Sequence, residues 1–427
     1  MSAGNGPLPS FWSKAFVADP YGAYDHLRVT APVRRIHREG VPMWLVTSYA
    51  EARTVLTDDR FRKDPDRWPI SLEQSDPGLG AIAHRIGKHL LYTDPPQHTR
   101  LRRLVSKTFT PRRIAGYESM TTTIVDALLD QFDGAAEVDL VARYAVPIGV
   151  TVICELLGVP AGERRDFWHW SLQLAADDER AGADAAASRS DAVDRLGTYL
   201  SGLIAAKRAR PTTDLLSDLV HARDDEGRLS ERELVAMALL LLLAGHETTI
   251  NLIGNGVLVL LQEPDHADAL RQHPELLPTA VEEIVRHHGS VMISSLRVTA
   301  EPVELGGVQI PAGELVMAAV GAADRDPAQF PDPNRFDPGR QPNPHLGFGA
   351  GIHYCIGAPL ARMQTAIAIG ALLRRHPRMT LAVPVADLRW HPSIVVRGLH
   401  ALPVRLGAPA DRTRPVATAA AAAGIGR

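Results

Sequence analysis

The apolar pattern of this chain predicts a mainly α-helical protein with small β-sheets, an α+β fold. Three observations carry that expectation. Apolar residues recur at helical spacing over most of the length, and one helical pattern runs from Ser230 to about Gln262. Short alternating runs flank glycine turns in the first fifty residues and again after Val303. At 1.5 Å per residue the long helix would reach roughly 50 Å, enough to cross the whole molecule. It is apolar nearly all round from Leu234 to Ala244, which marks a buried central element.

Taken in order, Pro20 to Arg28 predicts a short helix. Val33–Ile36 and Met43–Thr47 alternate around Glu39-Gly40 and predict a hairpin. Ser48-Tyr-Ala-Glu51 has the form of a capping box opening another helix. From Arg60 to Leu91 prolines and glycines break every pattern, giving a long irregular loop of the kind that binds ligands. A basic helix spans Thr99–Phe109, and further helices cover Tyr117–Phe132 and Ala142–Leu157, the latter burying Cys154. Arg164–Leu174 is aromatic and helical, Ala175–Ser190 is small and acidic, and a helix resumes to Arg208. Ser230-Glu-Arg-Glu233 is a second capping box, at the head of the long helix. Pro274–His288 is helical; Val303–Ile310 and Glu314–Ala319 read as strands; Asp324–Pro344 reads as ordered coil. Ser393–Leu406 adds two strands, and low-complexity residues 408–427 form a tail behind a single domain, 1–407.

The chain has 427 residues, 45% of them hydrophobic, so a large core can form; a net charge of −3 gives no field for nucleic acid. Two cysteines, Cys154 and Cys355, make no disulfide framework, and a cytoplasmic location is expected. The cleanest apolar run, Leu234–Ala244, is about half of the roughly 20 residues a membrane span requires, and Met1–Phe16 has no secretory pattern. No membrane anchor is expected.

The chemistry concentrates in Phe348–Gly357, Phe-Gly-Ala-Gly-Ile-His-Tyr-Cys-Ile-Gly. Gly349, Gly351 and Gly357 permit positive φ and the close approach of a bulky flat partner. Cys355 precedes a helix that tolerates Pro359 in its first turn, where backbone N–H groups and the helix dipole favour a thiolate. A thiolate on haem iron is one chemistry such a loop serves. Other signals fail. Tyr354 occupies the third glycine position of a dinucleotide fingerprint, Ile250 replaces the second histidine of a zinc-protease motif, and no Walker sequence or nucleophile elbow is present. Electrons for a redox reaction must therefore come from outside the chain.

In the long helix, Ala244-Gly-His-Glu-Thr-Thr249 interrupts the apolar pattern. Thr248 can hydrogen-bond back to the carbonyl of residue 244 and, with Gly245, loosen the ladder. A buried carboxylate beside a hydroxyl suits proton delivery. Glu283 and Arg286 share one helical face and can pair.

Together these strings resemble the soluble bacterial cytochromes P450, in that family's order and approximate spacing. Asp94-Pro-Pro-Gln-His-Thr-Arg-Leu-Arg102, Phe330-Pro-Asp-Pro-Asn-Arg-Phe336 and Arg397-Gly-Leu399 join the resemblance, which covers roughly residues 15–407. It is nearest to actinobacterial enzymes that tailor polyketides, macrolides, terpenoids or steroids. The resemblance implies the P450 fold, with its long central helix across haem b (iron protoporphyrin IX). It implies Cys355 as the axial iron ligand, with Phe348 shielding the sulfur and the loop glycines freeing N–H groups toward it. His98, Arg102, Arg297 and His353 would bind the haem propionates. Glu247 and Thr248 would be the acid–alcohol pair that relays protons to dioxygen, with Ala244 and Gly245 leaving room for oxygen and substrate. Glu283, Arg286 and Arg335 would form a buried ion-pair network. Gly347 and Gln364 depart from the family's usual alanine and glutamate.

The implied reaction is R–H + O₂ + 2e⁻ + 2H⁺ → R–OH + H₂O, hydroxylation or epoxidation of an apolar small molecule. Electrons would come from NAD(P)H through a ferredoxin reductase and a ferredoxin, the latter docking on Arg103, Lys107, Arg112, Arg113 and Arg362 of a monomer. Substrate contacts would come from 80–91, 167–186, Leu240–Thr248, Val291–Leu296 and Ser393–Val396, with Ser294 and Ser295 as polar handles. A peroxide-driven enzyme, a haem sensor and a Cys355–His353 hydrolase are the competing classes; the Glu247-Thr248 pair favours dioxygen.

Overall fold

Helices make up most of the computed structural model, which describes residues 13–38, 41–68, 89–175, 183–224 and 227–407. The turn at Glu39-Gly40, most of the loop 69–88, the piece 176–182 and the tail 408–427 lie outside the described residues. Six helices position the site: α1 (Gln97–Ser106), α2 (Val146–Leu157), α3 (Glu231–Gly245), α4 (Glu247–Gln262), α5 (Leu277–His288) and α6 (Ala358–Arg375).

The single long helix of the sequence reading is two helices in line, α3 and α4, divided at His246 (φ −109°, ψ −53°). Its start is as expected. Ser230 Oγ accepts the Glu233 N–H at 3.3 Å, and the Glu233 carboxylate accepts the Ser230 N–H at 2.9 Å. The capping box at Ser48 does not form; Ser48 Oγ donates to the Glu51 carboxylate, and the side chains satisfy each other instead of the backbone. α4 is buried along Thr249–Leu260 and packs on α2, α5 and α6, so it is the axis of the core. By length and composition Glu231–Gln262 is long and apolar enough to cross a membrane, which corrects the shorter span read from Leu234–Ala244. It is packed inside the protein, as a core helix is.

The largest sheet has five strands, β1 (Val33–Arg38), β2 (Val41–Val46), β3 (Phe61–Arg62), β4 (Arg297–Thr299) and β5 (Leu315–Ala318), in the order β1-β2-β5-β4-β3. β2 and β5 are parallel and the other pairs antiparallel. Val303–Leu305 and Val308–Ile310 form a separate hairpin. Of the two strands expected in Ser393–Leu406, only Pro403–Arg405 forms; upstream, Val396 makes an isolated bridge with Val291 and Leu399 with Trp390. Arg397 between them donates to the carbonyls of Val17 (2.5 Å) and Ala18 (2.9 Å) and stacks 3.5 Å from the Trp390 ring.

The coil 324–344 is ordered by α5. Glu283 and Arg286 are fully buried and joined by two hydrogen bonds of 2.7 Å. Glu283 also accepts from Asp337 N (2.9 Å), Asn343 Nδ2 (3.1 Å) and Arg340 Nε (3.2 Å). Arg286 donates to the carbonyls of Asp324 and Pro333 at 2.8 Å. The expected third member is corrected: the Arg335 side chain is exposed and contributes only its carbonyl, while Arg340 supplies the second cation.

Candidate functional site

The cysteine loop is closed by its own backbone before any side chain acts. Cys355 N–H donates to the Phe348 carbonyl at 2.9 Å and Gly349 N–H to Leu346 at 2.7 Å. Gly349 and Gly351 have φ of 73° and 69°, as the sequence predicts. At Gly351 a Cβ would also stand 3.0 Å from the Leu56 carbonyl oxygen, so the loop presses directly on the preceding layer. Gly357 differs from expectation, with φ −83°, so its role is not a left-handed turn. Gly347 is explained by its neighbour, because a Cβ there would run into the stiff Val285 side chain. Gln364 is buried, where a neutral amide is easier to accommodate than a carboxylate.

Cys355 is exposed, while protein atoms pack closely around it. Burial pushes its thiol pKa up, outweighing the backbone hydrogen bonds of Gly357 and Ala358 and the charges of Arg102 and Arg362. The helix terminus alone therefore does not make a thiolate here. A bound metal ion would bring the thiol to the thiolate form.

Beside the loop lies a cluster of histidine and arginine side chains. His98 and His353 have ring centroids 4.4 Å apart, and His98 Nε2 is buried without a hydrogen-bond partner. Burial, followed by the nearby charges of Arg102 and Lys63, lowers the His98 pKa to about 4; burial and Lys63 push His353 down as well. Arg102 donates to the Tyr354 carbonyl at 2.8 Å, tying α1 to the cysteine loop. Arg297, buried at the start of β4, donates to the carbonyls of Phe61 and Leu56 at 3.3 Å each and leaves its Nε unpartnered. Burial lowers its pKa to about 10. The four positions expected from the sequence thus lie together beside this loop, His98 and Arg102 in contact with it and Arg297 near His353. Lys63 joins them without having been expected; the chain's scarcity of lysine was its only signal.

The interruption in the central helix is the second part expected of the site. Thr248 Oγ1 donates to the Ala244 carbonyl at 2.8 Å, the back-bond expected from the sequence, and Thr249 Oγ1 reaches Gly245 at 3.4 Å. Ala244 and Gly245 are exposed in a helix buried before and after them, and Glu247 begins α4 half-buried. His246 is turned inward, its Nδ1 2.5 Å from the Leu242 carbonyl and its ring edge-on to Trp168 at 5.4 Å.

Other expected contacts are altered. The segments at Val291 and Val396 are paired, with Met292 N–H donating to Val395 at 2.8 Å. Ser294 is no polar handle: its hydroxyl donates to the Ser295 carbonyl (3.2 Å) and accepts the Ala318 N–H (3.0 Å). Of the basic face, Arg113 pairs with Asp218 at 2.6 Å and Arg362 with Glu282 at 2.5 Å, so both are already neutralised.

Residues 204–377 match the family model described as cytochrome P450. Over 415 residues the chain is 46% identical to cytochrome P450 107B1 of Saccharopolyspora erythraea, covering 96% of this chain and 100% of that protein. The 6-deoxyerythronolide B hydroxylase of the same organism is 42% identical over 405 residues, 93% of this chain and 99% of the relative. Among solved structures, the cytochrome P450 PksS of the Bacillus subtilis 168 bacillaene polyketide synthase superimposes with a TM-score of 0.87 at 35% identity, over 93% of this chain and 99% of that one. With near-complete coverage in sequence and in structure, and a cysteine loop closed as described, the chain belongs to the cytochrome P450 family.

Proposed function

We propose that the protein is a monooxygenase that inserts one oxygen atom of O₂ into an apolar natural product, by hydroxylation or epoxidation, and that Cys355 would hold its haem iron. The observation that carries this is the exposed Cys355, its sulfur met by the Gly357 and Ala358 N–H groups, beside a basic cluster in which two buried nitrogens, His98 Nε2 and Arg297 Nε, have no partner. A thiol donor and a cationic pocket fit a flat metal macrocycle bearing carboxylates. Bound there, haem b would supply dioxygen activation, helped by thiolate electron donation.

This chain's own residues do the rest. His98, Arg102, Arg297 and His353 would hold the propionates and so orient the macrocycle. Phe348 would shield the sulfur, and Gly349, Gly351 and Gly357 would leave the loop thin enough for a flat macrocycle to approach it. Ala244 and Gly245 leave space in the central helix, and the loosened turn lets Thr248 Oγ1 exchange its bond to the Ala244 carbonyl for a proton donated inward. Glu247 resupplies that proton. Relatives named as a 6-deoxyerythronolide B hydroxylase and a polyketide-synthase P450 support a substrate from the polyketide and macrolide class, with terpenoids and steroids as the wider set. Electrons reach the site from NAD(P)H through ferredoxin reductase and ferredoxin, and residues 1–407 work as one monomeric, cytoplasmic domain.

Replacement of Cys355 by Ser tests the assignment. The wild type should show the long-wavelength Soret band that a thiolate gives to the reduced CO complex, and Cys355→Ser should lose it together with turnover. Persistence of the band in the variant would overturn the ligand assignment.

A further inference from the structure

Lys63 is one of the largest buried side chains of the protein, 2% exposed, at the end of β3. β3 pairs with β4 so that Phe61 faces Thr299 and Arg62 faces Val298; one more residue of that register sets Lys63 beside Arg297. Asp94 fastens the same corner to α1. Its carboxylate accepts the backbone N–H groups of Lys63 (3.1 and 3.2 Å) and Asp64 (3.1 Å), and its carbonyl accepts the His98 N–H at 2.9 Å. One acidic residue thus holds together the two chain segments that carry Lys63 and His98.

Among the described residues the charge of this corner does not close. Lys63, Arg102 and Arg297 are cationic, and Asp94 is the one carboxylate acting on Lys63 and Arg297, with its oxygens taken up by backbone N–H groups. Among the described residues, no hydrogen bond to Lys63 Nζ is formed. Burial, then the charge of Arg297, drives the Lys63 pKa well down; the Asp94 carboxylate opposes this only in part, so a further anion would stabilise the ammonium. The surplus is two positive charges, and haem carries two carboxylates.

We propose that Lys63 is a further carboxylate-binding residue of the cofactor site, its ammonium neutralising a haem propionate next to Arg297. The inference rests on the haem assignment of Cys355 and adds a cation that the family-like motifs do not include. A lysine that only filled space would be replaceable by an apolar side chain of equal length, because methionine removes the buried charge and keeps the volume. A lysine that binds propionate would not.

The test compares the haem-loaded wild type with Lys63→Met, Lys63→Gln and Lys63→Arg, reading the rate of haem transfer to excess apomyoglobin and the ferric/ferrous midpoint potential. Met and Gln should release haem about tenfold faster or more and shift the potential negative, because losing a nearby positive charge favours the ferric state. Arg should stay within about threefold of wild type and hold the potential, since it keeps the charge. Gln retains length and polarity, so it reports if the Met variant does not fold. A wild type that holds haem while Met and Gln match it in rate and potential overturns this inference alone, and so does an Arg variant that behaves like Met. A wild type that holds no haem overturns the cofactor assignment and this inference with it.

Discussion

The Arg362 guanidinium lies over the Phe348 ring, its central carbon 4.5 Å from the centroid. The same fork donates to Glu282 through Nε (2.5 Å) and Nη2 (2.7 Å), and through Nη1 to the Tyr354 hydroxyl (3.0 Å). Glu282 in turn meets His345 Nε2 at 2.9 Å. Burial would raise the Glu282 pKa, but the bonds from His345 and Arg362 outweigh it and hold the carboxyl at about 2. Arg362 therefore joins α5, the cysteine loop and α6 as a structural clamp.

Loss of that clamp should be felt at the sulfur. Arg362→Leu removes a cation–π contact worth about 0.5–1 kcal/mol and a positive charge acting on Cys355. The midpoint potential should fall, and more of the reduced CO complex should lack thiolate ligation. The salt dependence of ferredoxin binding should stay near that of wild type. An unchanged potential with weakened, salt-sensitive ferredoxin binding would return Arg362 to a docking role.

Thr248→Ala leaves the Ala244 carbonyl without its side-chain donor. Product formed per O₂ consumed should drop roughly tenfold or more, with hydrogen peroxide making up the difference, while Thr248→Ser keeps most coupling. Parallel assays of oxygen, peroxide and product decide it; unchanged coupling in the alanine variant would remove Thr248 from the proton path.

The buried network on α5 separates two arginines that are 49 residues apart in sequence. Arg286→Met strands the fully buried Glu283 and should destabilise the protein by about 3–5 kcal/mol. Arg335→Ala, which removes an exposed side chain, should stay within about 0.5 kcal/mol of wild type. Denaturant melts of the two variants measure the contrast.

Asp324 gives a pH test. It is 1% exposed and accepts the Leu346 N–H at 2.6 Å, and burial lifts its pKa from 3.8 to about 7, with Glu283 adding and His345 and Arg286 opposing. A raised folded-state value means that the neutral acid stabilises the fold fully below about pH 3.8 and that this contribution is lost as pH rises through 7. Asp324→Asn keeps an acceptor for Leu346 without the charge. Relative to wild type it should gain about 1–4 kcal/mol between pH 4 and pH 8, read from melts at several pH values. A gap that does not vary with pH would refute the charged state proposed for Asp324.

The sequence exposes what is local. The cysteine loop, the Thr248 back-bond and the Glu283–Arg286 pair each lie within ten residues, so glycine placement and helical spacing are enough to find them. Lys63 is hidden because its neighbour Arg297 is brought to it by a two-residue strand, too short to register as a pattern. Arg340 is hidden because coil has no period from which to choose it over Arg335. The Cys355 thiol shows the same limit in energy: the helix terminus is local and visible, whereas the burial that outweighs it belongs to the whole fold.

The arginine clasp at Arg397 has a consequence for how the chain is made. Its partners, the carbonyls of Val17 and Ala18, lie 380 and 379 residues upstream. At roughly 5–20 residues per second on the ribosome, the amino-terminal helices wait about 20 s or longer before that arginine has been synthesised. The first segment to be translated is thus among the last to be fastened. It stays open to chaperones and proteases throughout synthesis, and a nascent chain arrested before Arg397 should remain cleavable near Val17 while the finished protein resists.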